Sequence, residues 1–75
     1  MGIKELTTVD SSMIHAVGYD PQEQQLEVVF NSGKVYCYQK VSEEIYEELL
    51  EADSKGRYMR SCIIDCYPYY QGVCE

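Results

Sequence analysis

Residues 26–38 decide the fold of this chain. They read Leu26-Glu27-Val28-Val29-Phe30, then Asn31-Ser32-Gly33-Lys34, then Val35-Tyr36-Cys37-Tyr38. Side chains of a strand alternate between two faces, and the glycine can adopt a positive φ without steric cost. The stretch therefore predicts two antiparallel strands joined by a hairpin turn.

The register of this hairpin decides which side chains face the core. If residues 32–33 form a two-residue loop, Val28 pairs with Cys37, and both lie on the core face. Tyr36 and Tyr38 then lie together on the opposite face. A change of one residue in the loop length would reverse the two faces.

A third strand is predicted before the hairpin. Residues 13–19 have the composition and alternation of a strand, and the pair Asp20-Pro21 suits the first two positions of a tight turn into the next strand. Strict alternation would place Ile14 and Val17 on opposite faces.

A helix is predicted over residues 43–53. Ser42 is a suitable N-cap, glutamates follow it at the positive end of the helix dipole, and Gly56 is expected to stop the helix. The predicted buried stripe consists of Ile45, Tyr46, Leu49, Leu50 and Ala52. Residues 57–64 show a second, shorter helical pattern.

These elements predict an α+β fold. It is a three-stranded antiparallel meander packed against one main helix, with a short second helical segment. Residues 1–10 are expected to be a loosely ordered lead-in, residues 11–70 the domain, and residues 71–75 a tail. Residues 65–75, which include Pro68 and Gly72, are not expected to form regular structure.

The charge composition limits any nucleic-acid binding to a local site. The chain has 75 residues, with 13 acidic and 6 basic side chains and a net charge of −7. A domain that binds nucleic acid over a broad surface is expected to be basic, so any such site here must be small and local.

The cysteines are expected to be reduced thiols. Residues 1–10 lack a signal-peptide pattern and no apolar run is long enough to span a membrane, which predicts a cytoplasmic protein. Thiols stay reduced in the cytoplasm, although in a secreted chain four cysteines would indicate disulfides. They are Cys37, Cys62, Cys66 and Cys74. Zinc binding by Cys62, Cys66, Cys74 and His15 is an alternative, but the paired spacing of zinc sites is missing.

The sequence does not predict an enzyme. His15 is the single histidine, and its place within a strand favours a structural role over that of a general base. No phosphate-binding glycine motif is present, and no cofactor is expected.

Two features indicate a binding site. Tyr36 and Tyr38 have the spacing at which sheet-based RNA-binding proteins stack unpaired bases, although a second layer of chain could cover them instead. The basic cluster of Lys55, Arg57 and Arg60 is the candidate for phosphate contacts, with Lys34 and Lys40 as possible neighbours.

A set of short motifs resembles the KTSC domain. They are Ser12-x-Ile14, Gly18-Tyr19-Asp20, Leu26-x-Val28-x-Phe30, Gly33-x-Val35-Tyr36-x-Tyr38, Val41, Leu49, Ser54-Lys55-Gly56-x-Tyr58, Ile63 and Tyr67-Pro68-Tyr69. That family is named for its occurrence at the C-terminus of some lysyl-tRNA synthetases, and it also occurs as stand-alone small bacterial proteins. This chain departs from it at Ile64-Asp65-Cys66, where relatives tend to have basic or polar residues.

The resemblance implies an RNA-binding role, with Tyr36, Tyr38, Lys55 and Gly56 at or beside the site. Together with the basic cluster, it predicts a non-enzymatic module that binds RNA or a ribonucleoprotein. Its ligand-binding residues would be Tyr36, Tyr38, Lys55, Gly56, Arg57 and Arg60. The alternative is a module for protein–protein interaction or self-association through a strand edge or a tyrosine-rich patch.

Overall fold

Five antiparallel strands form one sheet in the order β1-β2-β3-β4-β5. The structure is a computed structural model that describes residues 6–74, so residues 1–5 of the predicted lead-in and residue 75 of the predicted tail lie outside the described residues. The strands are β1 (Thr7–Thr8), β2 (Ile14–Asp20), β3 (Gln25–Phe30), β4 (Val35–Tyr38) and β5 (Tyr69–Gln71).

The prediction of an antiparallel α+β meander is confirmed, but the number of strands is wrong. The two edge strands, β1 and β5, have two and three residues. So short a segment shows no side-chain period, and pairing with a longer neighbour makes it a strand. β5 follows Pro68, within a segment predicted to be irregular.

The predicted hairpin register is wrong by one residue. The N–H of Phe30 donates to the carbonyl of Lys34, and the N–H of Gly33 donates to that of Phe30, each at 2.9 Å. Gly33 has a φ of 96°, so the loop has three residues. Val28 consequently pairs with Tyr36. Both predicted site tyrosines therefore lie on the core face.

A bulge in β2 changes its faces as well. The pairing with β3 shifts between Ile14 and Ala16, so that Ile14 and Val17 both enter the core. His15 is exposed.

The main helix, α1 (Glu43–Glu51), begins where predicted and ends earlier. Ser42 occupies the N-cap position, and Ala52 is extended, with ψ of 137°. Leu49 is fully buried, while the five glutamates of the helix are exposed. Ile45, Tyr46 and Leu50 are partly buried against the core, which confirms the amphipathic pattern, although Ala52 lies outside the helix.

A second helix, α2 (Lys55–Tyr58), continues into a π-helical turn, Met59–Ile63. Ser54 caps it, because its Oγ accepts a hydrogen bond from the Arg57 N–H at 3.3 Å. Gly56 lies inside α2 and does not stop α1, so that prediction is wrong.

The core lies between one face of the sheet and the helices. Its buried residues are Ile14, Val17, Leu26, Val28, Tyr38, Val41, Leu49, Met59 and Ile63. Three tyrosines add contacts at its margin. Tyr19 stacks on Tyr46 with ring centroids 5.2 Å apart, and the Tyr58 hydroxyl donates to Oε1 of Glu48 at 2.7 Å. The latter bond joins the two helices.

No helix within residues 6–74 is long and apolar enough to cross a membrane.

Candidate functional site

An open depression of about 460 Å³ lies at the end of the β3–β4 hairpin. We call it the Tyr36 depression, and it is lined by Ser12, Met13, Phe30, Asn31, Ser32, Lys34, Tyr36 and Arg60. The hairpin loop is attached to the chain before β2, since the Asn31 N–H donates to the carbonyl of Met13 and its side-chain amide donates to that of Ser11, each at 2.9 Å.

Four aromatic rings form a row along the core face of β3, β4 and β5. Tyr36 is at its centre, edge-on to Phe30 at 5.6 Å and to Tyr69 at 5.8 Å between ring centroids. Tyr38 lies 5.6 Å from Tyr69 and is 3% exposed. Tyr69 is 53% exposed. The row thus leads from the core to solvent.

Tyr38 is a core residue with a covered ring. Burial, followed by its neighbours Tyr69, Tyr36 and Asp65, raises the pKa of Tyr38 to about 12. A sealed ring cannot stack on an unpaired base, so the predicted platform of two tyrosines is wrong in this structure. Tyr36, which is half-buried, keeps its place at the site.

The predicted basic cluster is divided between two places. Arg60 and Lys34 both line the Tyr36 depression and are exposed. Arg57 lines a separate groove of about 300 Å³ together with Asp53. The Lys55 Nζ donates to the carbonyl of Ala52 at 3.2 Å, at the end of α1. Arg60 is therefore the predicted arginine that the fold brings to Tyr36.

Gly56 affects the depression through its close approach to Met13. A Cβ at this position would lie 3.3 Å from both Cβ and Sδ of Met13, closer than most such contacts. Because Met13 lines the depression, a side chain at Gly56 would displace part of its wall.

The sequence prediction did not include Phe30, Met13 and Tyr69 among the site residues. Phe30 belongs to the Leu26-x-Val28-x-Phe30 motif of the resemblance, and Tyr69 to the Tyr67-Pro68-Tyr69 motif. That motif was the available signal for Tyr69. The close approach of Met13 depends on the packing of α2 against the chain before β2 and has no local signal.

Two cysteines are oxidised, contrary to the expectation of four thiols. Cys37 and Cys74 form a disulfide with Cα atoms 5.1 Å apart. Cys62 and Cys66 are free, and Cys66 is exposed. The zinc alternative loses Cys74, whose sulfur is bonded to another cysteine. No group of three or more histidine, cysteine or acidic side chains that could hold a metal occurs within the described part of the chain.

The comparisons identify the family. The model of the KTSC domain matches residues 10–67, more than half of the chain, and the chain therefore belongs to the KTSC domain family. The sequence resemblance is confirmed.

Similar proteins include small proteins and an enzyme. An uncharacterized protein of Stutzerimonas stutzeri is 50% identical over 50 residues, which are 67% of this chain and 70% of that protein. The lysine–tRNA ligase of Nostoc sp. is 40% identical over 62 residues, which are 83% of this chain and 11% of the ligase.

A solved structure shares the fold. The crystal structure of a KTSC domain protein from Yersinia pestis has a TM-score of 0.89 and 31% sequence identity, and the match covers 91% of this chain and 96% of that chain. This chain and the Yersinia pestis protein therefore share one fold.

Proposed function

We propose that this chain is a non-enzymatic module that binds single-stranded RNA, free or within a ribonucleoprotein, at the Tyr36 depression. One observation carries the proposal: a half-buried tyrosine ring shares a depression with two exposed cationic side chains, those of Lys34 and Arg60. Aromatic rings stack on bases, and lysine and arginine bind phosphate.

The depression suits a single unstacked nucleotide. Its volume of about 460 Å³ falls in the range of about 300–1,000 Å³ that is usual for small-molecule sites. Phe30 and Tyr69 hold the Tyr36 ring edge-on from two sides, which limits its motion. A base could stack against the open part of this ring while a neighbouring phosphate contacts Arg60 or Lys34.

The net charge of −7 lowers the attraction of the whole domain for RNA, whereas the lining of the depression itself is basic. The glutamates of α1 lie on its exposed face, and none of the residues that line the Tyr36 depression is acidic. With two cations, the expected electrostatic contribution is limited to two phosphate contacts. Stacking, at about 1–3 kcal/mol per base, is expected to contribute a similar amount.

The relatives add a second, independent support. A region similar to most of this chain occurs within the lysine–tRNA ligase of Nostoc sp., whose substrate is an RNA. A domain that binds single-stranded RNA would serve such an enzyme, and it can act alone as a small cytoplasmic protein.

The test is a titration of a fluorescein-labelled 12-nucleotide single-stranded RNA followed by anisotropy. Arg60→Ala is expected to weaken binding about tenfold, since it removes one charge-assisted hydrogen bond of roughly 1.5 kcal/mol. Arg57→Ala is the matched control, because Arg57 is also an exposed arginine of the helical segment but lines the other groove.

Salt provides a second readout of the same site. Two phosphate contacts predict that log K falls against log salt concentration with a slope of about −1.4, and Arg60→Ala should reduce it to about −0.7. Equal losses in the two arginine variants, or binding that does not respond to Tyr36→Leu, would contradict the proposal.

A second candidate function is protein interaction or self-association through the β5 edge. Tyr69 and Val73 are 53% and 60% exposed there, and an unpaired strand edge can accept another strand. Sedimentation velocity distinguishes the two functions. A sedimentation coefficient that rises with protein concentration, and that Val73→Asp restores to the monomer value, would favour association.

A further inference from the structure

On the sheet face opposite the helices, residues 72–74 cover Glu27 and Cys37. The pairing of Glu27 with Cys37 places both side chains on this face, away from Tyr36. The Cys37–Cys74 disulfide holds the segment against them. Cys37 and Cys74 are almost fully buried, and Glu27 is 4% exposed.

The chain reaches this face through a turn after β5. Gly72 has a φ of 126°, which other residues rarely adopt. Its N–H donates to the carbonyl of Val35 at 2.7 Å. This turn directs Cys74 back across the sheet.

The buried position of the Glu27 carboxylate depends on residues 72–74, which cover it. The backbone N–H of Cys74 donates to Oε1 of Glu27 at 2.9 Å, across a separation of 47 residues. A buried carboxylate is costly unless it is hydrogen-bonded, and it is solvated readily once it is exposed. Departure of Cys74 would therefore leave Glu27 with a strong preference for water.

β5 connects the same segment to Tyr36, one of the residues that line the depression. This strand has only three residues, Tyr69–Gln71, and it connects the disulfide side to the aromatic row. Tyr69 contacts both Tyr36 and Tyr38 on the opposite face of the sheet. A strand of three residues makes few backbone hydrogen bonds, so β5 opens more readily once the segment that follows it is released.

We propose that the Cys37–Cys74 disulfide is a redox-controlled latch. Its reduction releases residues 72–74, exposes Glu27 and loosens β5, so that Tyr69 no longer supports Tyr36 and RNA binding weakens. The effect on RNA rests on the function proposed above, whereas release of the segment does not. In the cytoplasmic location that the sequence predicts, a disulfide is typically transient or redox-sensing, which fits a switch.

The reductant is a dithiol. One of its thiolates attacks a sulfur of the disulfide, the Cys37–Cys74 bond breaks, and the departing cysteine thiolate takes up a proton. The second thiol of the reagent then displaces the other cysteine. Overall the protein gains two electrons and two protons, and the reagent becomes a cyclic disulfide.

The opening is tested by hydrogen exchange without RNA, in the Cys62→Ser/Cys66→Ser background to prevent disulfide reshuffling. We expect the amides of Gly72 and Cys74, which are hydrogen-bonded in this structure, to exchange at least tenfold faster after reduction with dithiothreitol. The Val28 amide in β3 should change much less. Equal changes in all three amides, or none, would overturn the latch.

A charge-neutral variant tests the role of Glu27. Glu27→Gln keeps an acceptor oxygen for the Cys74 N–H and removes the charge, so the reduced variant is expected to show a smaller increase in exchange than the reduced parent. Glu23→Gln, in the exposed turn before β3, is the control and should behave as the parent. If Glu27→Gln opens as fully as the parent, Glu27 does not drive the release.

The consequence for the site is tested with the labelled 12-nucleotide RNA. Reduction is expected to raise Kd about tenfold, and Cys74→Ser without reductant should reproduce that value. Binding by the oxidised form that reduction leaves unchanged would overturn the regulation. If neither form binds the RNA, the proposed function fails, and the hydrogen-exchange result still decides whether the latch opens.

Discussion

The two faces of the sheet are covered in different ways. One face packs against α1, α2 and the π-helical turn through a cluster of buried apolar side chains. The other is covered at Cys37 and Glu27 by residues 72–74, which are held by the Cys37–Cys74 disulfide and by hydrogen bonds from the backbone N–H groups of Gly72 and Cys74. Apolar burial does not depend on redox conditions, whereas the second attachment does. The packing on the helical face is therefore independent of redox conditions, whereas the attachment of residues 72–74 to the opposite face depends on them.

Breaking the disulfide should have the largest effect on stability. It joins residues 37 positions apart, and loop closure over that length contributes on the order of 4 kcal/mol to the free energy of unfolding. Urea denaturation with and without dithiothreitol measures the loss. Cys66→Ser is the control, because Cys66 is free and exposed. Equal stability of the oxidised and reduced forms would mean that the disulfide contributes nothing to the free energy of unfolding.

Removing a core side chain from the helical face should cost somewhat less. Leu49 is fully buried between α1 and the sheet, and Leu49→Ala is expected to lower the free energy of unfolding by about 3 kcal/mol. The loss should be the same in oxidised and reduced protein, since the two faces are separate. Glu47→Ala, on the exposed side of α1, should change stability by less than about 0.5 kcal/mol.

Alkaline pH should lower the free energy of unfolding, because it removes the phenol proton of Tyr38 on the helical face of the sheet. Burial raises the pKa of Tyr38 to about 12 from 10.0, so the folded state holds the phenol proton that the unfolded state releases. The resulting stability is complete below pH 10 and is lost as pH rises towards 12, a fall on the order of 2 kcal/mol. Tyr38→Phe should flatten this part of the curve in urea denaturation at several pH values. An unchanged curve would contradict this assignment.

Alanine substitutions at two glycine turns should have the smallest effect on stability, and they distinguish the two faces of the sheet. Gly72 and Gly33 have φ of 126° and 96°, and a Cβ at either would meet no atom within 4 Å, so alanine adds only backbone strain of about 1–2 kcal/mol. For Gly72→Ala this cost should disappear on reduction, because residues 72–74 are then released. For Gly33→Ala, in the β3–β4 hairpin, the cost should persist. The same redox response in both variants would contradict the release of residues 72–74 on reduction.

Local signals predicted the helices and the central strands. Ser42 and the glutamates after it marked the start of α1, and the spacing of Ile45 and Leu49 marked its buried side. Both signals act within one or two helical turns, so they can be read from neighbouring residues. The motifs around Tyr36 and Tyr58 also indicated the correct family.

The site was predicted only in part. Tyr36 and Arg60 do line one depression, while Tyr38 is buried and Arg57 lies in another groove. The error at Tyr38 came from one residue of loop length, which reverses the faces of β4. The positions of the cations depend on how the helical segment packs against the hairpin.

The sequence by itself determined the class of fold, the amphipathic helix, the hairpin and the family, because periodicity, caps and turn residues act over short distances. The tertiary structure decided the hairpin register, the two short edge strands and the Cys37–Cys74 pairing. Those features depend on contacts between residues far apart in the chain, such as Glu27 and Cys74, and the surrounding packing selects them.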